Sequence, residues 1–251
     1  MSQAHYARIA DLYDQFVQTD YDVAFFIQEA RRVNAEVLEL MAGTGRLSVP
    51  MLESGIPLTC LDYSAEMLNN LEVKLQDHQL KASVHLADVR HFDLGRQFQQ
   101  IILPFQAFPE ITQRADQLKA LQSIHKHLTA DGEFICTLHN PVTRVKSVDE
   151  QLRLIARHNQ PDDGQMLVWL LQRYHPEKQV VEVLEFFEIY DQQGTLTNKL
   201  FSPLEFHLMK KAYFEELIHQ AGFDVIQLYG DYHYNPFDEA HSPFMIWILK
   251  P

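Results

Sequence analysis

The chain has 251 residues, 21 of them Lys or Arg and 34 Asp or Glu, for a formal net charge of −13. A composition 46% hydrophobic and 22% charged is globular and excludes disordered or fibrous classes. The acidic balance excludes a sequence-independent polyanion binder, which needs clustered Lys and Arg, so no nucleic-acid partner is expected.

In chain order, residues 1–35 read as helical. Ile9, Leu12, Tyr13, Phe16 and Val17, then Val23, Phe25, Phe26 and Ile27, recur near a 3.6-residue period. Val37 to Leu40 is a first strand that runs into Gly43-Thr44-Gly45, and helical spacing resumes from Leu47 to Leu52. Pro57 to Leu61 is a second strand ending at Asp62. Ser64 then offers an N-cap to a helix marked by Met67, Leu68, Leu71 and Leu75. Ala82 to Leu86 is a third strand, ending near Asp88, and Gln100 to Leu103 a fourth, ending at Pro104. Leu118, Leu121, Ile124 and Leu128 mark a helix with a stop at Asp131-Gly132, and Phe134 to Leu138 is a fifth strand. Near the end come a helix over Ala212 to Ala221, a sixth strand over Phe223 to Leu228 and a seventh over Phe244 to Leu249. Apolar strands alternating with helices indicate an α/β, doubly wound parallel sheet.

The stretch 165–208 breaks that rhythm with long β-rich runs and turn-like punctuation, so an inserted antiparallel β-meander is expected as a cap. One domain spanning 1–251 follows: an N-terminal helical lid (1–35), a cofactor-binding core (36–140), the cap (165–208) and the rest of the core sheet (209–251). Trp169, Tyr174, Phe186, Phe187 and Tyr190 are expected to form the interior of the cap. No apolar run approaches the roughly 20 residues of a membrane-spanning helix. Met1-Ser2-Gln3-Ala4-His5 lacks the regions of a secretion signal. Cys60 and Cys136 lie inside apolar strands, as reduced, buried thiols do. A cytoplasmic protein without a membrane partner is expected.

The chemistry concentrates at three successive strand ends. A glycine turn between a strand and a helix lets backbone N–H groups approach a ligand. Asp62 follows Gly43 by 19 residues, where a carboxylate can hold two ribose hydroxyls. Asp88 ends the third strand. Together these describe an adenosine site. The third glycine of a dinucleotide fingerprint is replaced by Ser48, and Glu39 beside the turn suits an amine-bearing ligand better than a pyrophosphate. S-adenosylmethionine is therefore favoured over NAD.

At this point the sequence resembles the class I S-adenosylmethionine-dependent methyltransferases of the small-molecule type. Glu39 through Gly45 resembles their acidic glycine-rich first motif, with Met41 where the first glycine usually stands and Ala42 beside it. Leu61-Asp62-Tyr63-Ser64-Ala65-Glu66-Met67-Leu68 is similar to the second motif, in which the Asp holds the ribose and the Met flanks adenine. Ala87-Asp88-Val89-Arg90 resembles the third, whose Asp meets the adenine amino group. Leu103-Pro104-Phe105-Gln106-Ala107-Phe108 resembles the segment between cofactor and acceptor, and Tyr13-Asp14-Gln15-Phe16 the lid helix whose Tyr closes over the cofactor. Tyr213 to Leu217, Ala221-Gly222-Phe223 and Tyr229 to Tyr232 match the family's C-terminal elements. The resemblance implies a Rossmann-like, seven-stranded, mostly parallel sheet with its last strand antiparallel. It also implies in-line methyl transfer to an N, O or S atom of a small-molecule acceptor, leaving S-adenosylhomocysteine.

Such a displacement needs alignment and exclusion of water, with no metal and no covalent intermediate. A base is required only where the acceptor arrives protonated. His139, after the fifth strand, and His207, at the end of the meander, are the candidate catalytic residues. Tyr232, His233 and Tyr234 are expected on a solvated loop, and Arg46 on a helix face. No metal is expected: His125 and His127 stand two apart and do not share a helix face. A nucleobase acceptor is disfavoured, because Pro104-Phe105-Gln106 is not an Asn/Asp-Pro-Pro-aromatic clamp. Two alternatives stay open here, a non-catalytic S-adenosylmethionine-binding regulator and an NAD-dependent oxidoreductase. The oligomeric state is open between monomer and homodimer.

Overall fold

Two helices precede the first strand in this computed structural model, which describes residues 3–160 and 163–251. Met1 and Ser2 of the N-terminal stretch considered above lie outside the described residues. Helix α1 spans Gln3–Phe16 and α2 spans Val23–Val33. Asn34 ends α2 in the left-handed conformation at φ 53°, its N–H donating to the Ala30 carbonyl, a turn that Asn tolerates better than most residues.

The core then alternates: β1 (Val37–Leu40), α3 (Ser48–Glu53), β2 (Leu58–Asp62), α4 (Ala65–Asp77), β3 (Ser83–Leu86) and β4 (Phe98–Leu103). A 3-10 turn at Phe108–Glu110 leads to α5 (Arg114–Lys126), β5 (Leu128–His139) and the short α6 (Pro141–Arg144). Four strands follow, β6 (Arg153–Asn159), β7 (Gln165–His175), β8 (Val180–Tyr190) and β9 (Leu196–His207). The chain returns through α7 (Lys211–Gln220), β10 (Asp224–Tyr229) and β11 (Phe244–Lys250). Ser64 caps α4 as expected, its Oγ accepting from the Met67 N–H at 3.3 Å.

The main sheet has seven strands in the order β10-β11-β5-β4-β1-β2-β3. β1 pairs in parallel with both β2 and β4, while β11 runs antiparallel to β10 and β5. The strand order reverses between β1 and β4, and the carboxyl ends of strands at such a switch point leave a crevice for a ligand. Apolar residues fill both faces of the sheet. Phe134, Phe214 and Trp247 are fully buried on one side and Phe26, Met51 and Leu71 on the other. Among the described residues no helix is long and apolar enough to cross a membrane.

Three expectations need correction. The helix over 118–128 stops at Lys126, and Asp131-Gly132 lies inside β5. Leu128 already pairs with Phe98 of β4, so sheet pairing claims the residues that periodicity assigned to the helix. The cap begins at Arg153 and not at 165, because β6 adds a fourth strand against β7. Its polar Arg153, Arg157 and His158 hide that strand from an apolar scan. The expected aromatic interior of the cap also divides, since alternate residues of a strand face opposite ways. Phe187 is fully buried against α1, while Trp169 and Phe186, paired across β7 and β8, share the other face with the exposed Phe201.

Candidate functional site

At the switch point the turn after β1 brings backbone and carboxylate together. Met41 holds φ 56°, Gly43 φ 57° and Gly45 φ 84°, all in the left-handed region. A Cβ at Gly45 would stand 2.4 Å from Leu71 Cδ1, so α4 packs against a glycine there for lack of room. Met41 adopts the glycine-like conformation with a full side chain, which explains how the first motif keeps its shape without its first glycine. Gly43 N–H donates to Asp62 Oδ2 at 2.9 Å, and Ser64 N–H to Oδ1 at 2.9 Å. The Tyr63 backbone N–H donates to the same carboxylate, which lines the crevice. Burial pushes the Asp62 carboxyl above the usual range.

The segment after β4 forms the opposite wall. Phe105 and Gln106 both take left-handed φ, 55° and 53°. The strained pair is held on several sides. Gln106 N–H donates to Thr137 Oγ1 at 3.1 Å, Gln106 Nε2 to the Tyr232 hydroxyl at 2.8 Å, and the Tyr21 hydroxyl to Gln106 Oε1 at 3.3 Å. The Arg46 guanidinium lies 4.2 Å over the Phe105 ring and grips Asp22 through both carboxylate oxygens at 2.6 and 2.7 Å. Arg46 thus lies before α3, not on a helix face, and clips the α1–α2 connection to the glycine turn. Tyr232 is buried, 8% exposed, so the expected solvated loop is a structural wedge at that residue.

Helix α1 roofs the crevice. Asn70 Nδ2 donates to the Ala10 carbonyl at 2.9 Å, Thr44 Oγ1 to Asp14 at 2.6 Å, and Lys74 pairs with Asp14 at 2.6 Å. Beneath it a cavity of about 180 Å³ is lined on one side by Met41, Gly43, Asp62, Met67 and Tyr13. The other side carries Gln106, Glu110, His139 and Phe206. Leu204 and Glu110 also border a second cavity of about 290 Å³, between α1 and the cap, which His5, Thr112, Glu182 and Glu205 complete.

Of the sequence-derived site residues, Tyr13, Met41, Gly43, Asp62, Met67 and His139 come together at the first cavity. Ala42, Gly45 and Pro104 shape the backbone around it without lining it. Glu39 lies beneath the turn, 1% exposed, accepting from Ser48 Oγ at 2.6 Å, and burial pushes its carboxyl up to about 7. Ser48, in the place of the third glycine of a dinucleotide site, is thereby committed to Glu39. The Tyr63 ring stands 6.4 Å from that of Tyr6. Both oxygens of Asp88 are held by Arg90, which keeps its carboxyl below the usual range, and Val89 is core.

His139 packs between Phe206 and Phe244, with ring centres at 5.8 and 6.0 Å. Burial, helped by the positive Arg144, lowers its pKa to about 3. It stays neutral and is a poor proton carrier at neutral pH. His207 is not brought to the cavity. Its Nδ1 faces Gln117 Nε2 at 3.2 Å and its ring meets Tyr213. Glu110, Phe206 and Tyr6 were missed from the sequence, whereas Gln106 lies in the segment after the fourth strand singled out there. An acid in the otherwise apolar turn Phe108-Pro109-Glu110-Ile111 was the signal for Glu110; Phe206 carried none. Among the described residues, no group of His, Cys, Asp and Glu is arranged to hold a metal ion.

Comparison with known proteins bears on this crevice. The family described as a methyltransferase domain matches residues 37–132. A dTDP-3-amino-3,6-dideoxy-α-D-glucopyranose N,N-dimethyltransferase of Streptomyces fradiae is 30% identical over 142 residues, covering 53% of this chain and 54% of that one. A glycine/sarcosine N-methyltransferase of Aphanothece halophytica is 25% identical over 230 residues, 90% of this chain and 80% of that one. In structure, the CcbJ methyltransferase of Streptomyces caelestis superposes with a TM-score of 0.85 at 17% identity, covering 100% of this chain and 99% of that one.

Proposed function

The chain is a class I S-adenosylmethionine-dependent methyltransferase of small molecules, and we propose that the atom it methylates is an amine nitrogen. The acidity of the acceptor side carries this reading. The two cavities, which share Glu110 and Leu204, are lined by Glu110, Glu182, Glu205 and Asp62, with neither Lys nor Arg among their lining residues. Such a surface attracts an ammonium. The two relatives described above, which act on an amino sugar and on glycine or sarcosine, point the same way.

The donor set fits the cofactor. Asp62, buried and held by the backbone N–H groups of Gly43, Tyr63 and Ser64, offers its carboxylate to two ribose hydroxyls. Met67 flanks the base, and the left-handed turn at Met41 and Gly43 lets backbone approach the amino-acid end. S-adenosylmethionine supplies an electrophilic methyl group on a sulfonium. The protein orients the acceptor, excludes water beneath α1 and leaves the nitrogen lone pair free. Tyr13 closes the roof. His139, neutral, serves as a hydrogen-bond partner for the acceptor and not as its base. Glu39 acts from below the turn, and Asp88 through Arg90 stiffens the loop around the base. The buried free thiols Cys60 and Cys136 support a reducing, cytoplasmic setting.

The test is S-adenosylhomocysteine release with a panel of glucosamine, glycine and ethanolamine, each beside its N-acetyl derivative. Turnover of free amines and not of the acetylated forms is expected. Release with hydroxyl or thiol acceptors alone would sink the amine assignment. His139→Gln should lower kcat/KM on the order of tenfold, by the tenfold-per-1.4 kcal/mol relation, without changing the shape of the pH profile.

A further inference from the structure

We propose that Glu110 is the proton acceptor of the reaction, taking a proton from the acceptor ammonium at the junction of the two cavities. This rests on the amine reading above. Glu110 and Leu204 are the residues common to the linings of both cavities, so the carboxylate faces the cofactor crevice on one side and the space beneath the cap on the other. The first cavity is small, about 180 Å³, and Asp62, Met67 and Gly43 claim one side of it for the nucleoside. The larger second cavity, about 290 Å³, is left for the body of the acceptor. A molecule seated there, reaching toward the methyl group, passes Glu110.

The setting of the side chain fits the role. Glu110 ends the turn after β4, on backbone fixed by the left-handed pair Phe105–Gln106. Its partner is the Tyr6 hydroxyl of α1, donating at 2.5 Å, which holds one oxygen and leaves the other available. Around it stand Tyr13 and His5 from α1, Asp62 from β2, Glu182 and Glu185 from β8 and Glu205 from β9. Burial raises its carboxyl to about 7, with Asp62 adding to the rise, which suits a base working near neutrality.

The step balances simply. The ammonium N–H bond breaks, and its proton moves to a Glu110 carboxylate oxygen. The freed lone pair forms the N–C bond to the methyl carbon as the C–S bond breaks, its electron pair passing to sulfur. S-adenosylhomocysteine, an N-methylammonium and a protonated Glu110 result, and Glu110 returns its proton to water through the second cavity.

Two measurements test the assignment. Calorimetry compares S-adenosylmethionine with S-adenosylhomocysteine at about pH 5.5 and about pH 8.5, where the ionised carboxylate should favour the sulfonium by roughly fivefold more at the higher pH. Glu110→Gln keeps an acceptor for the Tyr6 hydroxyl. It should bind S-adenosylhomocysteine within about twofold of the unaltered protein while losing the pH-dependent preference. An identical preference in both proteins at both pH values would overturn the assignment. With the amine panel, Glu110→Gln should lower kcat on the order of 100-fold, change KM little and abolish the rise of kcat through neutral pH. A variant turning over the amines with unaltered kcat and pH profile overturns the role of Glu110 alone. An unaltered protein that turns over none of them overturns the amine reading, and the proton transfer with it.

Discussion

Asp62 shows how much of the site rests on single atoms. Its carboxylate accepts backbone N–H bonds from Gly43, Tyr63 and Ser64, and these hold it against the crevice. Asp62→Ala should raise the dissociation constant for S-adenosylmethionine at least about tenfold, equivalent to roughly 1.4 kcal/mol. Calorimetry checks this, and an unchanged constant would place the ribose elsewhere. Asp62, Gly43 and Met67 were legible in the sequence because a strand end and the following turn fix a residue's place regardless of what packs on it. Glu110 and Phe206 were not, since they reach the cavity from the turn after β4 and from the cap, distant in sequence and joined only by packing. His207 shows the reverse: its neighbours Glu205 and Phe206 line the cavities, yet its imidazole turns to Gln117 and Tyr213.

Among the elements, α1 has the most to do and the least of its own to hold it. Its apolar face, Ile9 and Leu12, packs on Met166, Val168 and Phe187 of the cap, while Asn70, Thr44 and Lys74 grip its other side from the core. The roof of the crevice therefore depends on the cap as much as on the sheet. Phe187→Ala should cost about 3–5 kcal/mol in the packing it serves. Because that packing is local to α1 and the cap, hydrogen exchange should quicken at α1 amides while those of β1, β4 and β5 keep their protection. Loss of protection throughout the sheet would contradict this division. The meander was visible from its long β-rich runs, but β6 and the start of β5 were not. β6 is polar and borrows its strand character from β7, and Leu128 joins a strand only because Phe98 lies beside it.

At the scale of the whole molecule, buried acids set the response to pH. Burial raises Glu39, Glu110 and Glu185 each to about 7, whereas in the unfolded chain a Glu titrates near about 4.3. The folded state thus binds more protons between those values. The stability these acids contribute is complete below about 4.5 and is lost as pH rises toward 7. His5 and His139, lowered to about 4 and about 3, act in the opposite sense, so their contribution is lost as pH falls below about 6.5. Above that pH the acids outweigh the histidines. The Tm of the ligand-free protein should accordingly fall from about pH 6.5 to about pH 8, and Glu39→Gln should flatten the slope. A Tm rising over that interval in scanning calorimetry would refute the assignment. The net charge of −13 adds to the decline as like charges accumulate.

By itself the sequence determined the alternating sheet, the glycine turn and the acids at the strand ends, and with them one side of the crevice. These depend on periodicity and on contacts within a few residues, which a linear reading contains. Only the tertiary structure decided what lines the other side of the crevice. It set Glu110 between two cavities, committed Asp88 to Arg90 and made His139 neutral by burial. Those outcomes come from segments folded together across the cap and the lid, where burial and neighbouring charge fix how a side chain ionises and which way it points.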